Sequence, residues 1–365
     1  MCGSFAHALD AKINGVISQG YIKTWGNNYF GDSSDSNGSF EFRDTALYGQ
    51  LLTGGSLTFS GQLLARDAGA TDNDDLRVDY LFADWRSIDK SSHSLGIRLG
   101  RVRNELGFYN QTRDIVFTRP SVILPNSVYL ESAGLRELLF SSDAAQLYGD
   151  FRYLNSSTRA SLTIGRDSDL SKEALRNLLG NPDMDSELKI KSPIVGHIET
   201  EFGGGRWRTG LSYAQTDLFV EANPAKFVPQ VDASARLAIL SLQANLENSK
   251  ITAEISALEI EAKLMGLRLD AASEGAYLQL EHRLNPQWEL VIRQELSYAD
   301  RRQRNRTRNR DFMIGIRWEP TANWLLAAEI HHIDGVSNFP QIDNYSNRPL
   351  EEQSNLFALI GAYRF

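Results

Sequence analysis

The chain has 365 residues, of which 42% are hydrophobic and 23% charged, and its formal net charge is −8 at pH 7. An acidic chain of this kind gives no support for nucleic-acid binding. The single cysteine, Cys2, excludes an intramolecular disulfide framework and any multi-cysteine metal site. No stretch approaches the roughly 20 apolar residues that a transmembrane helix needs, since the purest apolar run is Trp324 to Ala328.

Residues 1–8 differ from the rest of the chain. They are too few for a signal peptide, which needs a charged segment and an apolar core. Ala6-His7-Ala8 nevertheless has the small-x-small form of a cleavage site. We predict that residues 1–8 are a signal-peptide remnant and that residues 9–365 form a single domain. An ordinary disordered N-terminus is the alternative.

From Lys12 onward, apolar and polar residues alternate in segments of about ten, the length that a tilted strand needs to cross a bilayer. About 16 such segments are predicted as strands: 12–23, 38–52, 56–66, 76–86, 94–103, 145–154, 159–166, 187–202, 206–215, 232–246, 251–263, 275–284, 288–298, 310–318, 324–333 and 355–365. The loop 168–186 between two of them is predicted to hold a short helix capped by Ser171.

The connections between these strands alternate in length. Short turns such as Gly203-Gly204-Gly205 alternate with long loops such as 25–37 and 334–350, and residues 264–274 are predicted to be another long loop. A transmembrane barrel has this alternation of short turns and long loops, whereas a soluble β-sandwich does not require it. Aromatic residues suited to the lipid headgroup region lie at many strand ends: Trp207, Tyr213, Trp288, Tyr298, Trp318 and Trp324.

These patterns predict an all-β fold, a transmembrane antiparallel β-barrel of about 16 strands. Barrels of 14 or 18 strands, and a soluble all-β domain, are the alternatives. In the last strand, Phe357, Leu359, Gly361, Tyr363 and Phe365 share one face. This ending resembles the C-terminal strand of Gram-negative outer-membrane β-barrels, whose assembly machinery reads a terminal aromatic residue. The resemblance implies a bacterial outer-membrane location, the barrel-assembly machinery as a partner, and Tyr363 and Phe365 as the assembly signal.

A barrel of 16 strands is wide enough for an aqueous channel. Charged residues at the positions opposite the lipid-facing stripe are therefore predicted to line it: Arg101, Arg152, Glu281, Arg283, Glu289, Arg293, Glu295, Arg317 and Glu329. Their mixed signs favour a transverse field that orients polar solutes. Paired charges that only brace the wall are the alternative.

The segment 104–142 is longer than connecting loops without a function usually are. Its apolar residues, such as Phe108 and Ile123, are interspersed with charges. We predict that it folds into the bore and presents charged side chains to the remaining opening: Arg113, Asp114, Arg119, Glu131, Arg136 and Glu137.

Part of this region also carries a resemblance to a known family. The runs 100–103 (GRVR), 107–114 (GFYNQTRD) and 117–121 (FTRPS) are similar to a stretch of porin-like proteins of proteobacteria, many of them uncharacterised. The similarity covers about 40 residues and implies a porin with an inward-folded loop. Phosphate-selective porins are more distantly similar, but this chain lacks their dense lysine ladder.

Outside the bore, an arginine-rich loop is predicted to contact phosphates of lipopolysaccharide, because guanidinium groups pair bidentately with phosphate. Its residues are Arg301, Arg302, Arg304, Arg306 and Arg308. A solvated basic loop is the alternative.

The predicted function is that of an outer-membrane porin for passive diffusion of small hydrophilic, and in one version anionic, solutes. No cofactor or metal is predicted. The expected partners are outer-membrane lipid, lipopolysaccharide and two further copies of the chain in a homotrimer. The alternatives are a structural or adhesive barrel with a plugged bore and a barrel enzyme. Against an enzyme, His331 and His332 point to opposite faces of a strand, and no serine motif accompanies them.

Overall fold

The alternating segments form one antiparallel sheet that closes on itself in the computed structural model of the chain. The structure describes residues 10–73, 75–133, 135–184, 186–223, 228–264, 266–345 and 349–365. The predicted signal-peptide remnant, residues 1–8, lies outside this part of the chain. The first strand pairs with both the second and the last, which closes the barrel. The prediction of a barrel of about 16 strands is confirmed.

The barrel wall has 16 long strands. Those of the first half are β1 Asp10–Trp25, β2 Phe42–Leu52, β3 Leu57–Ala68, β4 Arg77–Asp89, β5 His93–Arg103, β6 Ser141–Tyr153, β7 Ser156–Gly165 and β9 Leu188–Phe202. Those of the second half are β10 Trp207–Val220, β11 Val231–Asn245, β12 Ser249–Leu264, β13 Leu267–Asn285, β14 Trp288–Tyr298, β15 Arg308–Thr321, β16 Trp324–Asp334 and β17 Gln353–Arg364. The two-residue strand β8, Ser168–Asp169, pairs with β9 beyond the end of β7.

The helices of the described residues are short. They are α1 Asn126–Tyr129, α2 Arg136–Phe140, α3 Lys172–Leu179 and α4 Arg304–Thr307. The predicted capped helix is α3, whose first turn is closed by the Ala174 N–H, which donates to Ser171 Oγ at 3.1 Å. No described helix is both long enough and apolar enough to cross a membrane.

One predicted loop is instead strand. Residues 264–274 were expected to be a long loop, but β12 runs to Leu264 and β13 begins at Leu267. The pairing continues through Lys263 with Arg268 and Glu261 with Asp270. The alternation in fact continues through these strand ends, with Glu259, Glu261 and Lys263 on one face and Ile260, Ala262 and Leu264 on the other. The period-two pattern could therefore have extended both strands.

The two faces of the wall differ as the alternation predicts. On β16, Trp324, Leu326 and Ile330 are exposed on the outer face, while Glu329 and His331 are buried on the inner face. Outer aromatic rings contact one another at the short-turn end of the barrel. Trp288 stacks on Trp318 with ring centroids 5.3 Å apart, and the Trp324 ring lies 5.0 Å from that of Tyr363.

The two ends of the barrel are distinguished by their connections. At the short-turn end, strands are joined by tight turns such as Gly203-Gly204-Gly205, where all three residues have positive φ values (63°, 68° and 86°) that favour glycine. The chain also closes there, because the Gly15 and Phe365 backbones exchange two hydrogen bonds of 3.0 Å. At the long-loop end lie the described residues of the loops 26–41, 69–76, 166–187, 221–230, 299–307 and 335–352. The described residues of 104–140 leave the wall from this same end.

Candidate functional site

The segment Asn104–Phe140 between β5 and β6, here called the inward segment, lies across the bore. Its apolar residues pack against two separate parts of the inner wall. Val116, Val122 and Ile123 belong to one buried cluster with inner-face residues of β1, β16 and β17, such as Ile360. A second cluster joins segment residues to β9, β11 and β13; its largest members are Leu106, Phe108, Tyr109, Leu124, Tyr129, Leu237, Ile239 and Tyr277. The segment therefore contacts both sides of the bore at mid-height.

A first polar contact area, the backbone face, lies on β12 to β16. Glu329 accepts hydrogen bonds from the Val122 and Ile123 N–H groups, both at 2.8 Å. Glu295 accepts the Ser127 N–H at 2.9 Å. Wall carboxylates thus satisfy buried backbone donors of the segment, which would otherwise carry a desolvation penalty.

Glu254 on β12 makes the same kind of contact at the start of the segment. It accepts the Phe108 N–H at 2.9 Å and the hydroxyl groups of Tyr129 and Tyr277. Gly107, the residue before, has φ of +59°, and a Cβ there would overlap the Tyr129 hydroxyl and the Glu254 carboxylate. The close approach of this turn to Glu254 therefore requires glycine.

Wall arginines donate hydrogen bonds to oxygen atoms of the segment on the same face. Arg293 donates to Ser121 Oγ at 2.8 Å and to the Ile123 carbonyl at 3.0 Å. Arg317 donates to the Arg119 carbonyl. The backbone face therefore matches both donors and acceptors of an irregular, buried chain segment.

A second polar contact area, the ion-pair face, joins the segment's own charged side chains to β2, β3 and β4. Arg66 Nη2 lies 3.0 Å from Glu131 Oε2, and Arg113 Nη2 lies 2.7 Å from Glu131 Oε1. The remaining short pairs are Arg119 with Asp44 at 3.2 Å, Arg136 with Asp79 at 3.1 Å and Arg136 with Asp114 at 2.6 Å.

The ion-pair face shifts the pKa of the carboxyl groups that the segment contributes. Burial alone would raise the pKa of Glu131, but Arg113 and Arg66 outweigh it and lower the pKa to about 2. Burial is likewise outweighed at Asp114, where Arg136 and Arg66 lower the pKa. Both groups are therefore ionised at neutral pH, as the ion pairs require.

The predicted constriction residues occupy positions different from those expected. Their charges were predicted to face a remaining opening, but Arg113, Asp114, Arg119 and Glu131 are buried, with Arg113 and Asp114 each 1% exposed. The reason is that Arg113 and Asp114 pair within the segment, with Glu131 and Arg136. The wall supplies Asp44 as the partner of Arg119 and Arg66 as a second partner of Glu131. Arg136 lies at the edge of this network. Glu137 accepts the Ser171 N–H at 2.9 Å and so joins the segment to the start of α3.

Five of the predicted channel-lining residues are buried rather than exposed to water. Glu281, Arg293, Glu295, Arg317 and Glu329 lie where the inward segment or its neighbours cover the wall. The other four are accessible. Glu289 is half-buried, and Arg152 and Arg283 are exposed near the short-turn end. Half-buried Arg101, at the long-loop end, donates to the Asp79 carbonyl at 3.3 Å.

The short-turn half of the bore is polar and partly exposed. Its charges form pairs along the wall: Arg98 with Asp84 at 2.9 Å, Arg159 with Asp150 at 2.7 Å, Arg208 with Glu199 at 2.7 Å and Lys250 with Glu281. These side chains lie on neighbouring strands. The pairs therefore resemble the alternative in which paired charges only brace the barrel wall. They also give this half of the bore a wettable surface of mixed charge.

Three arginines of the arginine-rich loop form ion pairs with residues of the barrel itself. Arg301 pairs with Glu259 at 2.8 Å, Arg304 with Glu274, and Arg308 with Asp334 at 3.6 Å. Arg302 and Arg306 are exposed.

Sequence reasoning missed the wall partners of the ion-pair face, Asp44, Arg66 and Asp79, and it missed Glu254. Asp44 and Arg66 pair directly across β2 and β3 and lie opposite the exposed Leu47 and Leu63 in the strand alternation. The same period-two pattern that selected Arg293 could therefore have found them.

A third group of contacts, the outer-loop cluster, joins loops 26–41, 69–76 and 335–352 at the long-loop end. Asp343 Oδ1 accepts the Ala70 N–H at 2.8 Å, and Asn344 Oδ1 accepts the Asn28 N–H at 2.8 Å. The Tyr29 ring contacts that of Phe339, with centroids 6.1 Å apart. Burial raises the pKa of Asp343 to about 7, although backbone hydrogen bonds from Ala70, Gly31 and Phe30 oppose the shift.

The architecture is shared with outer-membrane proteins of known structure. The fold superposes on the anion-selective porin from Comamonas acidovorans with a TM-score of 0.62 and 11% sequence identity, over 98% of this chain and 100% of that one. OmpF of Salmonella typhi, in a complex with daunomycin, gives 0.60 and 9% over 97% of each chain. The trimer form of OmpT from Vibrio cholerae gives 0.59 and 12%, over 98% of this chain and 100% of that one.

By sequence, no protein-family model matches the chain, and no curated protein matches it. At identities this low, the similarity shows the fold and does not transfer a substrate.

Proposed function

We propose that the protein is an outer-membrane channel of porin type that passes small hydrophilic solutes, with the inward segment as its constriction. The observation that carries the proposal is the segment itself. A barrel of 16 strands is wide enough for an aqueous channel, and here a segment leaves the wall after β5 and crosses that space at mid-height. The paired charges of the short-turn half supply a polar path up to it.

Within this proposal, we take the observed position of the inward segment as the closed form of the channel. At mid-height the described wall residues beneath the segment are buried, including Gln146, Thr252, Gln279 and Arg293. We propose that a solute passes when part of the inward segment moves away from the wall. Buried ion pairs suit such an element, because they specify one position while adding little net stability.

Strong anion selectivity receives no support within this proposal. The cations of the short-turn half lie beside carboxylates, as in Arg98 with Asp84 and Arg208 with Glu199. A passing anion would have to compete with these carboxylates for each guanidinium group. We therefore propose hydrophilic solutes without a strong preference for negative charge.

The remaining parts of the proposal concern location and assembly. The long loops are placed outside the cell and the short turns in the periplasm, as in bacterial barrels. Arg302 and Arg306 are proposed lipopolysaccharide contacts, and Tyr363 and Phe365 the assembly signal. A homotrimer is proposed because one similar structure is described as a trimer form. No enzymatic activity is part of the proposal.

A plugged structural or adhesive barrel is the second candidate. It is favoured by one observation, the complete burial of Arg293 and Glu254 beneath the segment. The two candidates differ in whether the segment ever leaves the wall.

Conductance of the refolded full-length chain in a planar lipid bilayer tests the proposal. A channel that opens gives discrete, ohmic current steps in KCl, and the weak selectivity expected here gives a reversal potential near zero under a KCl gradient. A correctly folded barrel that never conducts would overturn the proposal in favour of the plugged barrel. A large reversal potential would overturn the statement on charge.

A further inference from the structure

A cavity of about 230 Å³ lies on the long-loop side of the inward segment. It is bounded by α1 and the leucines that follow it, by the inner face of β11 to β14, and by Asn338 beyond β16. Its volume equals that of about eight liquid water molecules at roughly 30 Å³ each. Drug-sized ligands occupy cavities of about 300–1,000 Å³, so this one suits a smaller molecule, of monosaccharide size.

The lining combines two kinds of surface. One side is apolar and consists of Leu130 and Leu135 of the segment together with Leu237, Leu258 and Ile260 of the wall. The other side carries hydroxyl and amide groups, among them Ser127, Ser273 and Asn338. A solute with an apolar C–H face and hydroxyl groups around its edge would match both surfaces, because each polar group needs a hydrogen-bond partner once water is excluded.

Charge narrows the class of solute further. Glu274 is the one acidic residue among the described lining residues, and no Lys or Arg is among them. Its carboxylate pairs with Arg304. An anion would find no free cation in the cavity, and a cation would have to displace Arg304. A neutral solute enters without either cost.

We propose that this cavity binds a neutral, polyhydroxylated solute of monosaccharide size. The inference rests on the proposed channel function, since it names the class of solute that would bind on the long-loop side of the inward segment before passage. It also makes the segment part of the site, because Ser127, Leu130 and Leu135 belong to both.

Calorimetric titration of the refolded chain in detergent tests the inference. The neutral probes are glucose, galactose and myo-inositol, and glucuronate and glucosamine are charged probes of similar size. At least one neutral probe is expected to bind about tenfold more tightly than either charged one. Equal or tighter binding of a charged probe, or no binding of any neutral probe, would overturn the inference.

Variants locate the binding to the cavity. Asn338→Ala is expected to weaken binding of the neutral probe about tenfold, because it removes a polar side chain of the cavity lining. Ser273→Ala is the second variant, with the same expectation. Ser60→Ala, on β3 and outside the cavity, is the matched control and should bind as the unmodified chain does. Unchanged binding in both cavity variants would place the solute elsewhere and overturn the inference.

Bilayer conductance of the same preparation separates this inference from the channel proposal. A chain that conducts but binds no neutral probe overturns the solute class alone. A chain that binds the probe but never conducts overturns the channel, and with it the role of the cavity in passage.

Discussion

The two polar contact areas of the inward segment use charge in opposite ways. On the ion-pair face, carboxylates and guanidinium groups contact one another, as Arg66 and Arg113 contact Glu131. On the backbone face, charged wall residues contact uncharged peptide groups, as Glu329 contacts Val122 and Ile123. The first area depends on the side chains of the segment. The second depends mainly on the path of the segment's backbone. Apart from Gly107 and the hydroxyl groups of Ser121 and Tyr129, it tolerates substitution within the segment as long as that path is kept.

The largest expected effect comes from removing a cation from the ion-pair face. Arg66 lies within 3.9 Å of four carboxylates, those of Asp44, Asp72, Asp114 and Glu131. Arg66→Gln would leave these buried charges with too few cations, and we expect it to lower the free energy of unfolding by about 4 kcal/mol. The measurement is denaturant unfolding of the barrel in lipid vesicles.

The matched control for this substitution is Arg86→Gln. Arg86 pairs with Asp89 at 3.4 Å, but both side chains are exposed, by 47% and 66%. An exposed pair contributes at most about 1 kcal/mol. If Arg66→Gln costs no more than this control, the ion-pair face does not hold the segment.

This contrast also explains how far the sequence could predict the molecule. The barrel followed from alternation, because lipid on one side and polar contacts on the other impose a period of two on each strand. The inward position of residues 104–142 followed from length and mixed composition. The burial of Arg113 and Glu131 did not, because nothing in the segment's own sequence shows that β2 and β3 supply Asp44 and Arg66 as partners.

The backbone face was harder still to predict. Glu329 and Arg293 were selected by alternation as channel-lining charges, and the sequence could not show that peptide groups of the segment take the place of water around them. A charge that faces a wet bore and a charge that binds a buried backbone occupy the same position in the strand pattern. Only the path of the inserted segment distinguishes the two.

A smaller effect is expected from a steric change on the backbone face. Gly275 on the inner face of β13 lies directly beneath α1, and a Cβ there would overlap the Ser127 carbonyl oxygen. Gly275→Ala should push Ser127 away from the wall and weaken its bond to Glu295, at a cost of about 3 kcal/mol. Because the proposed closed position is what loses stability, the open probability of the proposed channel in bilayers should rise.

Gly196→Ala is the matched control for this change. A Cβ at Gly196, also on a wall strand, would meet no atom within 4 Å. It should leave both stability and open probability unchanged. An open probability that stays the same in Gly275→Ala would show that the α1 contact does not keep the channel closed.

The smallest expected effect is on the pH dependence of stability. A carboxylate paired with arginine and a carboxylate that binds only peptide groups should lose their stabilising contributions in different pH ranges. Asp343 in the outer-loop cluster is of the second kind, and burial raises its pKa to about 7. Because this exceeds the usual value of about 3.9, its stabilising contribution is complete below pH 4 and is lost as pH rises through 7. Between pH 5 and 7 the loss should be about 2 kcal/mol.

Glu131, with its pKa lowered to about 2, stays ionised over this pH range. It loses its stabilising contribution only in acid, below about pH 4.5.

Hydrogen exchange measures this difference directly. The Ala70 amide, which donates to Asp343, should lose protection between pH 5 and 7 after correction for the intrinsic exchange rate. The Leu130 amide, next to Glu131 and bonded to the Asn126 carbonyl, should keep its protection over the same range. Asp343→Asn should abolish the pH dependence at Ala70, since an amide side chain still accepts the hydrogen bond but does not titrate. Loss of protection at both amides together would mean that the loops and the segment open as one unit. The outer-loop cluster and the inward segment would then form one cooperative unit, rather than two units that open independently.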